Sequence, residues 1–311
     1  MKITVIGAGF VGATAAQLIA NKELANEVVL VDIVEGIPQG KGLDMYESMH
    51  VLESDTKIIG TNNYEDTANS DIVIQTAGIP RKPGMTRDDL MKTNSSIVKS
   101  CIDSAFKYSP NAKFIIVSNP LDVMTYVAQN TTGLGRDRVF GMAGVLDTAR
   151  YCSFISEELG VSMQDIRGLI LGGHGDTMVP LTRFTTVSGI PVEDLIAKDK
   201  LDAICKRAAN GGGEIVNLLK TGSAFYAPAS SAVQMVEAIV RDQKRILPCS
   251  IMLEGEYGYK GVVVGVPVVL GKNGMEKVIE LKLNAEEKKA LDTSVQHVKE
   301  TIDSAKSLLN I

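Results

Sequence analysis

The run Lys2-Ile3-Thr4-Val5-Ile6-Gly7-Ala8-Gly9-Phe10-Val11-Gly12-Ala13-Thr14-Ala15-Ala16 decides how the chain is read. Its first five residues form a short apolar strand pattern, and from Ala13 to Ala20 small and apolar residues follow a helical one. The glycines between them mark an abrupt joint. A second apolar run, Glu27 to Val31, ends at Asp32. Further out, Asp71 to Thr76 runs into Ala77-Gly78-Ile79-Pro80, and Lys113 to Ser118 runs into Asn119-Pro120. Between those two runs, Ile97, Val98, Cys101, Ile102, Ala105 and Phe106 recur with a helical period over Ser95 to Tyr108. Strands alternating with helices imply a parallel sheet covered on both faces.

A glycine triplet alone is a weak signal. Here Gly7, Gly9 and Gly12 follow a strand and open a helix, and the acid Asp32 closes the next strand. That context predicts a dinucleotide-binding turn. Gly7 permits the tight turn, Gly9 lets the backbone approach a pyrophosphate, and Gly12 lets the helix pack close to the sheet. Ala8, Phe10 and Val11 complete the loop, and the helix N-terminus offers free N–H groups to the phosphates. Asp32 is placed to accept hydrogen bonds from the adenosine ribose. Its charge would repel a 2′-phosphate, and the next residues, Ile33 and Val34, bring no cation. NAD is therefore favoured over NADP. The predicted fold class is α/β: a Rossmann-type doubly wound parallel sheet over residues 1–142, then an α+β substrate-binding and catalytic domain over residues 143–311.

The second half holds the residues that carry chemistry. Leu169-Ile170-Leu171-Gly172-Gly173-His174-Gly175-Asp176 stops an apolar run abruptly and sets one of only three histidines between glycines. Such a ring can exchange a proton near neutral pH, or it can be a turn histidine bonded to nearby backbone. Asp147 and Arg150 share one face of a helix predicted over Val145 to Leu159. They read either as a surface ion pair or as part of a site, and the apolar surroundings favour the site. The segment Pro80 to Asp89 carries Arg81, Lys82 and Arg87 among Pro and Gly. It reads as a solvated loop or as a lid that brings arginines onto an anion. Gly211-Gly212-Gly213 follows no strand and reads as a helix joint. Ile246 to Cys249 and Gly261 to Leu270 read as antiparallel strands, and Asn284 with Glu287 as a helix cap. His50 and His297 read as plain surface or packing residues.

Composition excludes several classes. A net charge of −5 argues against a general nucleic-acid binder, which needs a basic face. No apolar run approaches the roughly 20 residues that span a bilayer, and Met1 to Ile6 lacks the pattern of a secretory signal. Four scattered cysteines without a Cys-x-x-Cys pair predict reduced thiols, no metal site and a cytoplasmic location.

Taken together, Gly7–Gly12, Asp32, the Pro80–Arg87 loop, Ser118-Asn119-Pro120, Leu146-Asp147-Thr148-Ala149-Arg150 and Gly173-His174-Gly175-Asp176 resemble the lactate/malate dehydrogenase family, most closely its lactate-dehydrogenase-like malate enzymes. The likeness implies that His174 is the proton donor–acceptor and that Asp147 holds its imidazole. It implies that Arg150 pairs with the substrate C1 carboxylate, that Arg87 polarises the carbonyl, and that Asn119 bonds the substrate oxygen. Asn94, Val117, Ser118 and Asn119 fall where the family contacts NAD. Arg81 stands where lactate enzymes typically carry glutamine and malate enzymes arginine, which implies a dicarboxylate substrate and interconversion of (S)-malate and oxaloacetate, a step of the tricarboxylic acid cycle. A lactate or other 2-hydroxy-acid dehydrogenase is the alternative within the class, and a silent NAD-binding sensor the alternative outside it. Gly173 departs from the acid often found there in lactate enzymes. A homodimer or homotetramer is implied, with the Gly42–Leu52 and Val145–Leu159 helices as candidate contact surfaces.

Overall fold

The computed structural model describes residues 1–80 and 86–309, with the side chains of residues 87, 308 and 309 outside the description. Arg81 and the Arg87 guanidinium therefore lie outside the described residues.

Six parallel strands, β1 (Lys2–Ile6), β2 (Glu27–Val31), β3 (Lys57–Thr61), β4 (Ile72–Gln75), β5 (Lys113–Ile116) and β6 (Val139–Gly141), form a sheet in the order β3-β2-β1-β4-β5-β6. Ile3 stands between Val28 and Ile72, so the strand order reverses about β1. Ligands of such sheets bind outside the strand C-termini at that reversal. The helices α1 (Phe10–Asn21), α2 (Ile37–Val51), α3 (Arg87–Tyr108) and α4 (Leu121–Thr132) cover the sheet. Covered on both faces, the strands need apolar residues without alternation, and Ile3, Val5, Val28, Val29, Val73 and Ile74 are fully buried.

One boundary differs from the sequence reading. The helix predicted from Ser95 begins at Arg87, because Thr86 and Asp89 form a reciprocal cap. The Asp89 N–H donates to Thr86 Oγ1 at 3.0 Å, and the Thr86 N–H donates to Asp89 Oδ2 at 3.0 Å. Asp88 and Asp89 in the first turn also complement the helix dipole. The polar segment read as loop to Asp89 thus ends at the Thr86 cap.

The chain continues through α5 (Gly144–Leu159) and the short strands β7 (Ile166–Arg167), β8 (Ile170–Leu171), β9 (Val179–Pro180), β10 (Thr186–Val187) and β11 (Ile190–Pro191). Helices α6 (Val192–Leu195), α7 (Lys198–Ala209), α8 (Gly211–Leu219) and α9 (Tyr226–Val240) follow. The antiparallel β12 (Arg245–Glu254), β13 (Lys260–Gly271) and β14 (Gly274–Val278) lead to α10 (Ala285–Leu309), whose Asn284–Glu287 cap forms as expected. Among the described residues, the β14-β13-β12 ribbon extends the parallel sheet to nine strands, joined through the single pair Ser250↔Gly141. No helix among the described residues is long and apolar enough to cross a membrane.

Candidate active site

The glycine loop at the end of β1 has a division of labour visible in its spacing. Gly7 has φ +101°, and a Cβ there would stand 2.7 Å from Thr76 Oγ1. A Cβ on Gly12 would lie 1.8 Å from the Gly7 carbonyl oxygen, so the helix could not pack. A Cβ on Gly9 would meet nothing within 4 Å, which leaves open space where a ligand's phosphates would approach. No side chain caps α1 at Gly9, so its first N–H groups face that space. Asp32 is fixed beside the loop: Oδ2 accepts from the Ala8 N–H at 2.7 Å and Oδ1 from the Val34 N–H at 3.0 Å. Phe10 is exposed and stacks on Phe225 with centroids 5.1 Å apart. Lys41 of α2 donates to the Ala8 carbonyl at 2.7 Å. A reading limited to Ile33 and Val34 missed this cation, because a helical turn brings it back from further along the chain.

Three other predicted cofactor contacts lie at the loops that follow the strands. Val117 and Ser118 are buried at the end of β5, and the Ser118 hydroxyl donates to the Ala77 carbonyl at 2.7 Å. Asn94 is buried with its amide fully engaged. It accepts from the Ile79 N–H at 2.8 Å and donates to the carbonyls of Ile79 and Asn119 at 3.1 and 2.8 Å. Its carboxamide thereby ties the loop after β4 to the loop after β5.

The histidine end of the site is built around one buried carboxylate. Asp147, in the first turn of α5, is 2% exposed, and its Oδ2 lies 2.9 Å from His174 Nδ1. A carboxylate only accepts, so Nδ1 carries a proton and Nε2 is free of Asp147. Asp147 Oδ1 lies 3.8 Å from an Arg150 guanidinium nitrogen, too far for a hydrogen bond. Arg150 is 13% exposed, and both its Nε and Asp147 Oδ1 are buried without a hydrogen-bond partner among the described residues. An under-paired buried guanidinium is destabilising by several kcal/mol unless an anion completes it. The Asp147–Arg150 face read from the sequence is thus buried and not a surface ion pair.

The glycines near these groups do work that a turn reading did not anticipate. Atoms added at Gly211 and Gly212 would stand 3.0 Å from Arg150 Cδ and 3.6 Å from Arg150 Nη2, so the helix joint is also a bed for this guanidinium. Of the glycines around His174, Gly175 needs its φ of +91°, whereas Gly173 is a packing requirement. A Cβ on Gly173 would lie 2.6 Å from Val298 Cγ2.

Several remote groups hold the histidine loop. Gly172 exchanges backbone hydrogen bonds with Gly265 of β13, and the Gly173 N–H donates to Ser294 Oγ of α10 at 2.8 Å. The His174 N–H donates to Asp122 Oδ2 at 3.0 Å, and Ser250 Oγ donates to Asp122 Oδ1 at 2.5 Å. Asp122 and Ser250 were not singled out from sequence, since neither contact follows from local pattern. A cavity of about 260 Å³ beside this loop is lined by Asn119, Asp122, His174 and His297. His297, read from sequence as a plain surface or packing residue, also lines this cavity.

Opposing effects set the ring's charge. Burial pulls the His174 pKa down, but the Asp147 charge and hydrogen bond, with a smaller push from Asp122, outweigh burial and the opposing Arg150. The net result lies above the ordinary histidine value. Burial lowers Arg150, partly offset by Asp147.

A dinucleotide cradle at the strand reversal and a His–Asp pair beside a buried arginine define a nicotinamide-dependent oxidoreductase of the 2-hydroxy-acid class. Residues 1–141 match the lactate/malate dehydrogenase NAD binding domain, and residues 144–309 match the lactate/malate dehydrogenase alpha/beta C-terminal domain. The chain belongs to the lactate/malate dehydrogenase family. It is 60% identical over 310 residues to the malate dehydrogenase of Chlorobium limicola, covering 100% of each chain. Among solved structures, the Salinibacter ruber malate dehydrogenase superimposes with a TM-score of 0.96 at 51% identity, covering 100% of this chain and 99% of that one. The Cryptosporidium parvum lactate dehydrogenase, complexed with lactic acid and nicotinamide adenine dinucleotide, gives 0.94 at 43% identity, covering 100% and 98%. Fold alone therefore does not separate the two substrates.

Proposed function

We propose that the chain is an NAD-dependent malate dehydrogenase, interconverting (S)-malate and oxaloacetate. The observation that carries the proposal is the shared carboxylate of Asp147, which touches His174 on one side and faces the under-paired Arg150 on the other. When bound, NAD supplies the hydride acceptor or donor at its nicotinamide. The cradle of Gly7, Gly9 and Gly12 with Asp32 fits its pyrophosphate and ribose, and Phe10, Val11, Asn94, Val117 and Ser118 shape the rest of that site. His174 Nε2 takes the proton from the substrate hydroxyl during oxidation and returns it during reduction, with Asp147 balancing the imidazolium. Arg150 takes the C1 carboxylate, for which a planar guanidinium is the matching fork. Asn119 bonds the substrate oxygen, Arg87 polarises the carbonyl, and Arg81 takes the second carboxylate.

Residues 1–142 are proposed as the nucleotide half and 143–311 as the substrate half. A homodimer or homotetramer in the cytoplasm is the proposed working form. The exposed Leu43, Tyr46 and Val51 of α2 support a partner contact there, whereas α5 buries Val145, Leu146, Tyr151 and Ile155 within its own chain.

The test is NADH oxidation followed optically with oxaloacetate and pyruvate side by side. Oxaloacetate is expected to turn over faster by orders of magnitude. Faster pyruvate turnover would overturn the dicarboxylate assignment, and turnover of neither would favour a sensor.

The raised His174 pKa predicts opposite pH trends for the two directions. Oxaloacetate reduction needs the imidazolium, so kcat/KM should be maximal below the ring's pKa and decline as pH rises through it. Malate oxidation needs the neutral ring and should gain over the same interval. Rate profiles in both directions check this, with an inflection expected above the ordinary value of about 6.5. Inflections below that value would mean that burial dominates the two carboxylates.

A further inference from the structure

Asp122 has no place in the mechanism above, yet it is a buried carboxylate aimed at the catalytic loop. It sits in the first turn of α4, 7% exposed, just beyond the loop after β5 that carries Asn119. Both of its oxygens act as acceptors: Oδ2 from the His174 N–H at 3.0 Å and Oδ1 from Ser250 Oγ at 2.5 Å. Accepting at both oxygens, at the positive end of a helix, suits the ionised form. Burial opposes that form and leaves the Asp122 pKa above the ordinary carboxylate value, with Asp147 adding to the rise, while Ser250, the His174 amide and the His174 ring pull it back.

We propose that Asp122 is a positioning residue for proton transfer: its carboxylate fixes the His174 backbone from beneath and adds a second negative charge behind the imidazolium. Asp147 orients the ring through Nδ1, and Asp122 orients the peptide that carries the ring. The two carboxylates open successive helices, α4 and α5, so each is held by a rigid element and not by a loop. Ser250, on β12, holds Asp122 from the opposite side. The charged and titratable groups around the ring are Asp147 and Arg150 from α5, Asp122 from α4, Asp176 from its own loop and His297 from α10 across the shared cavity. The inference rests on the proposed role of His174 as proton exchanger.

The test uses D122N, whose side-chain oxygen can still accept from the His174 N–H while its amide turns to Ser250, removing charge and little else. The chain has only three histidines, so the His174 ring can be titrated individually by NMR in the free protein. In D122N the ring's pKa is expected to fall by about half a unit or more, as removal of a nearby buried anion requires. The turnover number for oxaloacetate reduction is expected to fall about tenfold, on the scale of losing an outer partner of a site residue. The NADH dissociation constant and thermal midpoint should stay near those of the parent. S250A, which removes a donor that pulls Asp122 toward its ionised form and so weakens the charge without deleting the carboxyl, should shift the ring in the same direction by less. It decides the matter should D122N fail to fold. An unshifted ring pKa with unchanged turnover in the folded variant overturns the inference. If H174N itself retained turnover, the underlying reading of the site would fail first, and the two failures are thereby distinguished.

Discussion

Replacing His174 with Asn is expected to reduce turnover in both directions by at least the 10²–10⁴-fold typical of lost acid–base catalysis, with NADH binding nearly unchanged. The geometry makes this a clean substitution. An Asn side chain can still offer an N–H toward Asp147, so the carboxylate, 2% exposed, is not left bare. The backbone N–H that bonds Asp122 is retained as well. What disappears is the second ring nitrogen, the only one free of Asp147. Stopped-flow NADH fluorescence gives binding and steady-state absorbance gives turnover. Loss of both together would make the histidine a structural residue.

Replacing Arg81 with Gln is expected to move the ratio of oxaloacetate to pyruvate efficiency by roughly two to four orders of magnitude, chiefly through loss of oxaloacetate. Arg81 lies outside the described residues, so the argument is chemical. Malate and oxaloacetate carry a second carboxylate, and enclosing it without a cation costs several kcal/mol. Pyruvate offers a methyl in its place, which would leave an enclosed guanidinium unpaired. A neutral amide relieves the second problem and creates the first. Measuring kcat/KM for both keto acids with the variant checks it, and an unchanged ratio would remove Arg81 as the selector.

Much of this was legible in the sequence because the relevant signals are local. The joint from Lys2 to Gly12, the acid at Asp32 and the helical spacing of Asp147 with Arg150 each declare themselves within a few residues. The early start of α3 was also local, in the Thr86–Asp89 cap, but the prolines and cations just before it drew the reading toward loop. What escaped was non-local. Lys41 reaches Ala8 only after α2 has folded, and Ser294 meets Gly173 from α10. The bed that Gly211 and Gly212 make for Arg150 depends on how α8 docks against α5. No periodicity in the chain encodes these contacts. They come from packing between elements that are far apart in sequence.

The bond between Ser250 and Asp122 lies next to the one strand pair, Ser250↔Gly141, that stitches the C-terminal ribbon to the parallel sheet. Asp122 comes from before that seam, whereas Ser250 and His174 come from after it. Genetic exchange between diverged relatives with a crossover near residue 142 would draw this trio from two parents. Chimaeras of that kind should keep the imidazole seated only where the two parents supply a matched trio, even where each half folds against its new neighbour.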